Sequence, residues 1–214
     1  MEAPAAPHNP AETELTVHSP DQMRDLGRRL AKLLRAGDLV MLSGELGAGK
    51  TTLTRGLGEG LGVRGAVTSP TFVIARVHPS LGDGPPLVHV DAYRLGGGLD
   101  EMEDLDLDVS LPESVVVVEW GEGKVEELTE DRLHVTIHRA VGGHHGRGPA
   151  RDADRGRGAL GGGGPGVAVG LTAPKPGRRT AGDFRRRFRQ DVGKMLRPVS
   201  GTWSHGSQPA VRCT

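Results

Sequence analysis

The sequence predicts an α/β fold, a mixed sheet flanked by helices over residues 13–139, with a disordered leader before it (1–12) and a disordered Gly/Arg-rich tail after it (140–214). Three observations lead there. Apolar runs of strand length alternate with runs of helical period, the pattern of a sheet with helices on its faces. A glycine-rich stretch, "GELGAGKT" (44–51), joins one such strand to one such helix. The composition also breaks after Arg139. Residues 1–139 carry 13 Lys and Arg against 23 Asp and Glu, a net of −10. Residues 140–214 carry 14 against 4, a net of +10, and hold 17 of the 34 glycines. Such an asymmetry marks a tail or an interaction segment, hidden here by an overall formal charge of zero.

The leader, "MEAPAAPHNPAETE", is acidic and proline-rich and has neither the basic nor the apolar region of a signal peptide. "LTVHS" (15–19) suits a short edge strand. Ser19-Pro20-Asp21-Gln22 then starts a helix, with Ser19 as N-cap, Pro20 at N1 and Gln22 at N3 completing a capping box. Met23, Leu26, Leu30, Leu33 and Leu34 form its apolar stripe, and Gly37 is its expected stop. "DLVML" (38–42) lacks alternation, as a parallel strand covered on both faces requires. After the glycine-rich loop, Leu53, Leu57 and Leu61 are four apart and share a helix face. Gly56, Gly58 and Gly60 each weaken that helix by roughly 1 kcal/mol against alanine, so it relies on packing.

"TFVIARVH" (71–78) and "PLVHVDAYR" (86–94), joined through "SLGDGPP", read as neighbouring antiparallel strands. "GLDEMEDLDLDVSLPE" (98–113) reads as a short acidic helix and a loop. "SVVVVEW" (114–120) is the most strand-like run, and the alternating "DRLHVTIHR" (131–139) reads as the last strand. Beyond it, "GGHHGRGPARDADRGRGALGGGGPG" (142–166) cannot bury enough apolar surface to offset its ordering entropy. Within the tail only "DFRRRFRQDVGKMLR" (183–197) has the pattern of a basic amphipathic helix. The tail is either a disordered extension or a stretch translated in an unintended frame of a GC-rich gene.

The chemistry concentrates at residues 44–51, which fit G-x-x-x-x-G-K-[ST] residue for residue. In such a P-loop the backbone N–H groups cradle phosphate oxygens, the lysine reaches the β/γ-phosphates, and the hydroxyl after it ligates Mg²⁺. Leu46, Gly47, Ala48, Gly49, Lys50, Thr51 and Thr52 are the candidate nucleotide-binding set. Phosphoryl transfer further needs a carboxylate at the end of an adjacent strand, to hold the metal or orient a water. Asp91 after "LVHV" and Glu119 after "VVVV" qualify; with Lys50 they are the candidate catalytic residues, and with Thr51 the candidate metal ligands. "TSPTF" (68–72) lies where P-loop proteins place a γ-phosphate-sensing switch. His89 reads as a sheet histidine facing a neighbour, while Tyr93 and Trp120 suit either rim packing or a partner contact. The doublet His144-His145 has no further ligands to make a metal site.

Cys213 is the sole cysteine, so no intramolecular disulfide or cysteine metal cluster forms. No apolar run approaches the ~18–20 residues that span a bilayer, and a cytoplasmic location is expected. The −10 body repels phosphate, so direct nucleic-acid binding by the core is not expected, and the basic tail offers only salt-sensitive attraction.

Four motifs in order, "GELGAGKTTL", "SPTF", "HVDAYR" and "VVEW", make residues 14–139 resemble the bacterial TsaE (YjeE) family, P-loop ATPases of tRNA threonylcarbamoyladenosine synthesis. The resemblance implies ATP hydrolysis with Mg²⁺, coupled to TsaB and TsaD, which modify adenosine 37 of ANN-decoding tRNAs; tRNA is met through that complex. It implies that Thr51 and Glu119 bind Mg²⁺ and that Asp91 acts as a Walker B or switch residue. The Gly/Arg tail departs from the family, whose ordered sequence ends soon after the last strand. Two other readings use the same loop: a small-molecule or nucleotide kinase, and a nucleotide-gated binding module with incidental hydrolysis. A kinase needs a basic lid, whereas residues 95–130 are acidic with Lys124 their one basic residue.

Overall fold

A computed structural model describes residues 12–70, 73–95, 105–123, 125, 129, 132–139, 166–173, 186–188 and 190–192. Its strands are β1 (Glu12–Val17), β2 (Leu39–Gly44), β3 (Ala75–His78), β4 (Leu87–Asp91), β5 (Val115–Glu119), β6 (Arg132–Arg139) and β7 (Val167–Thr172). Its helices are α1 (Pro20–Ala31), α2 (Lys50–Leu61) and α3 (Leu107–Ser110), with 3-10 turns at Ala92–Arg94 and Leu111–Glu113. The strands make one sheet in the order β1-β7-β6-β2-β5-β4-β3. The four central strands run parallel, while β3 on one edge and β7 and β1 on the other are added antiparallel. The predicted mixed α/β sheet is the fold observed.

Both faces of the sheet are covered, which is why β2 and β5 are apolar without alternation. Val40, Leu42, Leu87, Val115 and Val117 pack under α1 and α2 with Leu26, Leu30, Leu53 and Leu57. Leu39, Met41, Val88, Val90, Val116 and Val118 form the opposite core, which includes Leu107 of α3. Each fully buried leucine or valine here is worth about 1.5–3 kcal/mol of transfer from water.

Helix α1 starts as its sequence requires: the Ser19 hydroxyl accepts from Gln22 N–H at 3.2 Å, with Pro20 in the first turn. It ends at Ala31, not at Gly37; Leu33 and Leu34 continue the buried stripe from a following turn. Helix α2 resolves the puzzle of its glycines. A Cβ on Gly56 would lie 2.1 Å from the Arg24 carbonyl oxygen, and one on Gly60 would lie 2.5 Å from Ala31 Cβ. From the other side, a Cβ on Gly27 would lie 2.4 Å from the Leu53 carbonyl oxygen. The two helices therefore approach to a separation that only bare backbone allows, and the glycines that weaken α2 in isolation are what permit its packing. Glu59 ties the pair across the surface, accepting from Arg24 and from Arg28 at 3.0 Å.

Two expectations are corrected. The strand predicted over 71–78 begins only at Ala75, because Ile74 sits at φ 63° and its N–H bonds the Pro70 carbonyl at 2.7 Å. A left-handed conformation cannot continue a strand, and for a β-branched residue it is an outlier. Nor does the packed core end at Arg139. Within the supposed tail, β7 inserts between β6 and β1, and Val169 and Leu171 are fully buried. Alternation in "VAVGLT" supplies the apolar face that the glycine-rich flanks lack. Residues 186–188 and 190–192 are helical, Phe188 is buried in the α1/α2 core, and Arg187 pairs with Asp38 at 3.3 Å. Residues 1–11, the part of the acidic 98–113 stretch before Leu105, Lys124 and His144-His145 lie outside the described residues.

Candidate active site

The site lies where β2, β5 and β4 reach their C-terminal ends side by side. Register fixes this: Leu42 of β2 stands opposite Glu119, and Glu119 opposite Asp91, so the two strand-end carboxylates are level on neighbouring strands. The loop from Gly44 to Gly49 then turns the chain from β2 into α2. Gly44, Gly47 and Gly49 all have positive φ (145°, 73° and 115°), which L side chains rarely adopt. A Cβ on Gly44 would also sit 2.4 Å from the Ile137 carbonyl oxygen. The first turn of α2 carries no acidic residue and no side-chain cap bond, so the positive end of its dipole faces the loop. Leu46 is exposed, Ala48 buried, and Thr51 and Thr52 half-buried.

Lys50 is buried at the head of α2. Its ammonium donates to the carbonyls of Gly44 at 2.7 Å and Glu45 at 3.0 Å, and lies 3.7 Å from the centre of the Trp120 ring. Burial pushes its pKa below the usual lysine value, opposed by Glu119 and Asp91. Trp120 reaches this position by taking φ 61°, a non-glycine left-handed turn directly after β5, held by its N–H on the Leu42 carbonyl at 3.2 Å. Such a backbone costs on the order of 1–3 kcal/mol and clusters at functional sites. The exposed Tyr93 ring stacks at a tilt on Trp120, centroids 5.2 Å apart, so both aromatics belong to the rim of the site.

Thr51 donates its hydroxyl to both carboxylate oxygens of Glu119, at 3.0 and 3.3 Å. The same carboxylate accepts from His89 Nε2 at 2.9 Å. His89 is fully buried, and its Nδ1 has no hydrogen-bond partner among the described residues. The sheet histidine does face a neighbour, and that neighbour is the site carboxylate. Sequence reasoning passed over this role, although His89 and Asp91, two apart in a strand, necessarily share a face. Asp91 is anchored differently: Oδ1 accepts from Tyr93 N–H at 3.1 Å, capping the 3-10 turn, and Oδ2 accepts from the Ser69 hydroxyl at 3.1 Å. The Ser69-Pro70 turn is thus joined to a strand-end carboxylate; Thr71 and Phe72 lie outside the described residues.

One further cation reaches the loop. Arg139, at the end of β6, donates through Nη2 to the Gly47 carbonyl at 2.9 Å. No spacing in the sequence links these residues, because β6 meets β2 only through the sheet.

The residues suit Mg²⁺ and a polyphosphate. Glycines keep the cradle open where a Cβ would fill it, and a hydroxyl and a carboxylate meet beside it. Among the described residues no group of three His, Cys, Asp or Glu gathers for a metal. A nucleotide-bound Mg²⁺ takes only one or two protein groups, the rest being phosphate oxygens and water.

A family model described as "Threonylcarbamoyl adenosine biosynthesis protein TsaE" matches residues 17–147. The chain is 92% identical over 120 residues to the Streptomyces coelicolor "tRNA threonylcarbamoyladenosine biosynthesis protein TsaE", covering 56% of this chain and 81% of that one. It is 41% identical over 124 residues to the Bacillus subtilis protein of the same name, covering 57% and 75%. The crystal structure of Bacillus subtilis YdiB superposes with a TM-score of 0.57 at 28% identity, covering 85% of this chain and 97% of that one.

Proposed function

The chain belongs to the TsaE family, and from that premise we propose that it is an Mg²⁺-dependent ATPase of tRNA threonylcarbamoyladenosine biosynthesis, working with TsaB and TsaD on adenosine 37 of ANN-decoding tRNAs. The observation that carries the ATPase reading is the convergence of Lys50, Thr51 and Glu119 at one end of a glycine loop.

In this reading the loop N–H groups from Leu46 to Thr52 hold the phosphates, and the Lys50 ammonium trades its two loop carbonyls for phosphate oxygens. Thr51 and Glu119 would hold the metal, with Asp91 the further candidate. When bound, Mg²⁺ would supply positive charge to offset the negative charge that develops on the phosphate oxygens during transfer. His89 fixes the Glu119 carboxylate from behind, so that group meets its partner already oriented. Asp91 ties the Ser69-Pro70 turn to the same end of the sheet, which suits a segment that responds to the terminal phosphate. The proposal places the protein in the cytoplasm with its tRNA pathway; among the described residues no helix is long and apolar enough to cross a membrane.

The test is Mg²⁺-dependent ATP turnover by the chain alone and with TsaB and TsaD. Slow turnover that rises when both partners are present is expected. Absence of turnover in every mixture, with nucleotide still bound, would favour a nucleotide-gated binding module instead.

A further inference from the structure

The Thr51–Glu119 pair fixes which way a nucleotide lies in the cradle. A metal held by this pair would neutralise the terminal phosphates of a nucleotide, which would put those phosphates on the β5 and β4 side of β2. The thread then runs through the loop, and the nucleoside leaves on the other side of β2, over β6. β5 and β6 flank β2, roughly 10 Å apart across two strand spacings. At the end of β6 stands Arg139. Ile137 is in register with Gly44, so Arg139 projects two residues past the start of the cradle. Its side chain is exposed, and among the described residues its one hydrogen bond is Nη2 to the Gly47 carbonyl. The fit is close, since a Cβ on Gly47 would lie 2.7 Å from that nitrogen.

We propose that Arg139 is a nucleotide-binding residue that grips the nucleoside end, its guanidinium plane lying against the base while Nη2 stays on the Gly47 carbonyl. This inference rests on the nucleotide reading given above. The side-chain type matters. A guanidinium can keep one N–H on a carbonyl and still offer a flat, weakly hydrated face to an aromatic ring, which a lysine ammonium cannot. The hydrogen bond to Gly47 holds that face at the edge of the cradle before any ligand arrives, which reduces the ordering cost of binding.

Calorimetric binding of Mg²⁺-ADP and Mg²⁺-pyrophosphate to the full chain and to Arg139→Ala tests it, since the two ligands share the diphosphate and differ by the nucleoside. Arg139→Ala is expected to weaken ADP at least tenfold and to leave pyrophosphate within twofold, which also shows that the variant is folded. Arg139→Lys is expected to resemble Arg139→Ala. Unchanged ADP affinity would overturn the inference. Equal weakening of both ligands would do so too, assigning Arg139 to the shape of the loop alone, and so would full recovery by lysine. A parent chain that binds neither ligand would instead overturn the nucleotide reading itself.

Discussion

The sheet is built differently on the two sides of β2. Towards β5 and β4, the strands end in the buried carboxylates Glu119 and Asp91, with His89 buried two residues before the end of β4. Towards β6, β7 and β1, the inward positions are apolar throughout, from Ile137 through Val169 and Leu171 to Leu15 and Val17. The first side places charge where water is scarce and includes one left-handed tryptophan; the second packs with its inward face and lends the loop only Arg139, at the exposed end of β6. The difference teaches that one sheet separates the cost of a site from the burial that offsets it. Four substitutions probe that separation.

The largest effect is expected at the apolar side. Leu171→Ala should lose about 2–5 kcal/mol, from lost transfer energy and the cavity left behind, read as a lowered denaturant midpoint. ADP affinity should be unchanged below the transition. A midpoint equal to the parent's would show that β7 adds nothing to the sheet and would break the comparison.

Lys50→Ala tests the opposite side. Hydrolysis should fall at least a hundredfold, about 2.7 kcal/mol of barrier, while stability holds or rises because a buried ammonium is removed. The pH dependence has a definite sign. Burial lowers the pKa of Lys50, so between that lowered value and the usual lysine value the unfolded chain binds more protons. Parent stability therefore gains from this group as pH rises through that window, and the variant lacks the gain. A variant much less stable than the parent at neutral pH would mean that Lys50 is structural.

The smallest expected effect sharpens the comparison within the site. Glu119→Ala and Asp91→Ala should each slow hydrolysis tenfold or more, at about 1.4 kcal/mol per decade, with ADP binding nearly intact. Glu119→Ala should also lower the melting temperature, since it leaves His89 buried without its partner. If either variant turns over ATP like the parent, that carboxylate is only a strand end.

Much of the site was legible because chemistry demands certain residue types at fixed spacing. Lys50 and Thr51 follow from one eight-residue pattern, and Glu119 and Asp91 from apolar runs ended by a carboxylate. Arg139 on Gly47 was not, since the contact passes between strands whose pairing no local signal reports. β7 was hidden by its surroundings: three inward residues alternate correctly, but glycine-rich sequence on one side masks so short a period. The end of α1 misled for the converse reason, because Leu33 and Leu34 stay buried after the helix has stopped.

The bare contact between α1 and α2 has a consequence at a distance. α2 is a rod of 12 residues, about 18 Å long, with Lys50 and Thr51 at one tip. Gly56 is mid-rod and Gly60 near the far end, both seated on α1. The seat acts as the pivot of a lever, and its thickness sets where the tip points. A methyl group added there touches no phosphate, yet it re-aims every donor at the head of the helix. Alignment of the loop is therefore stored in the absence of two side chains far from it, and drift in the aim of Lys50 and Thr51 can originate at a surface remote from both.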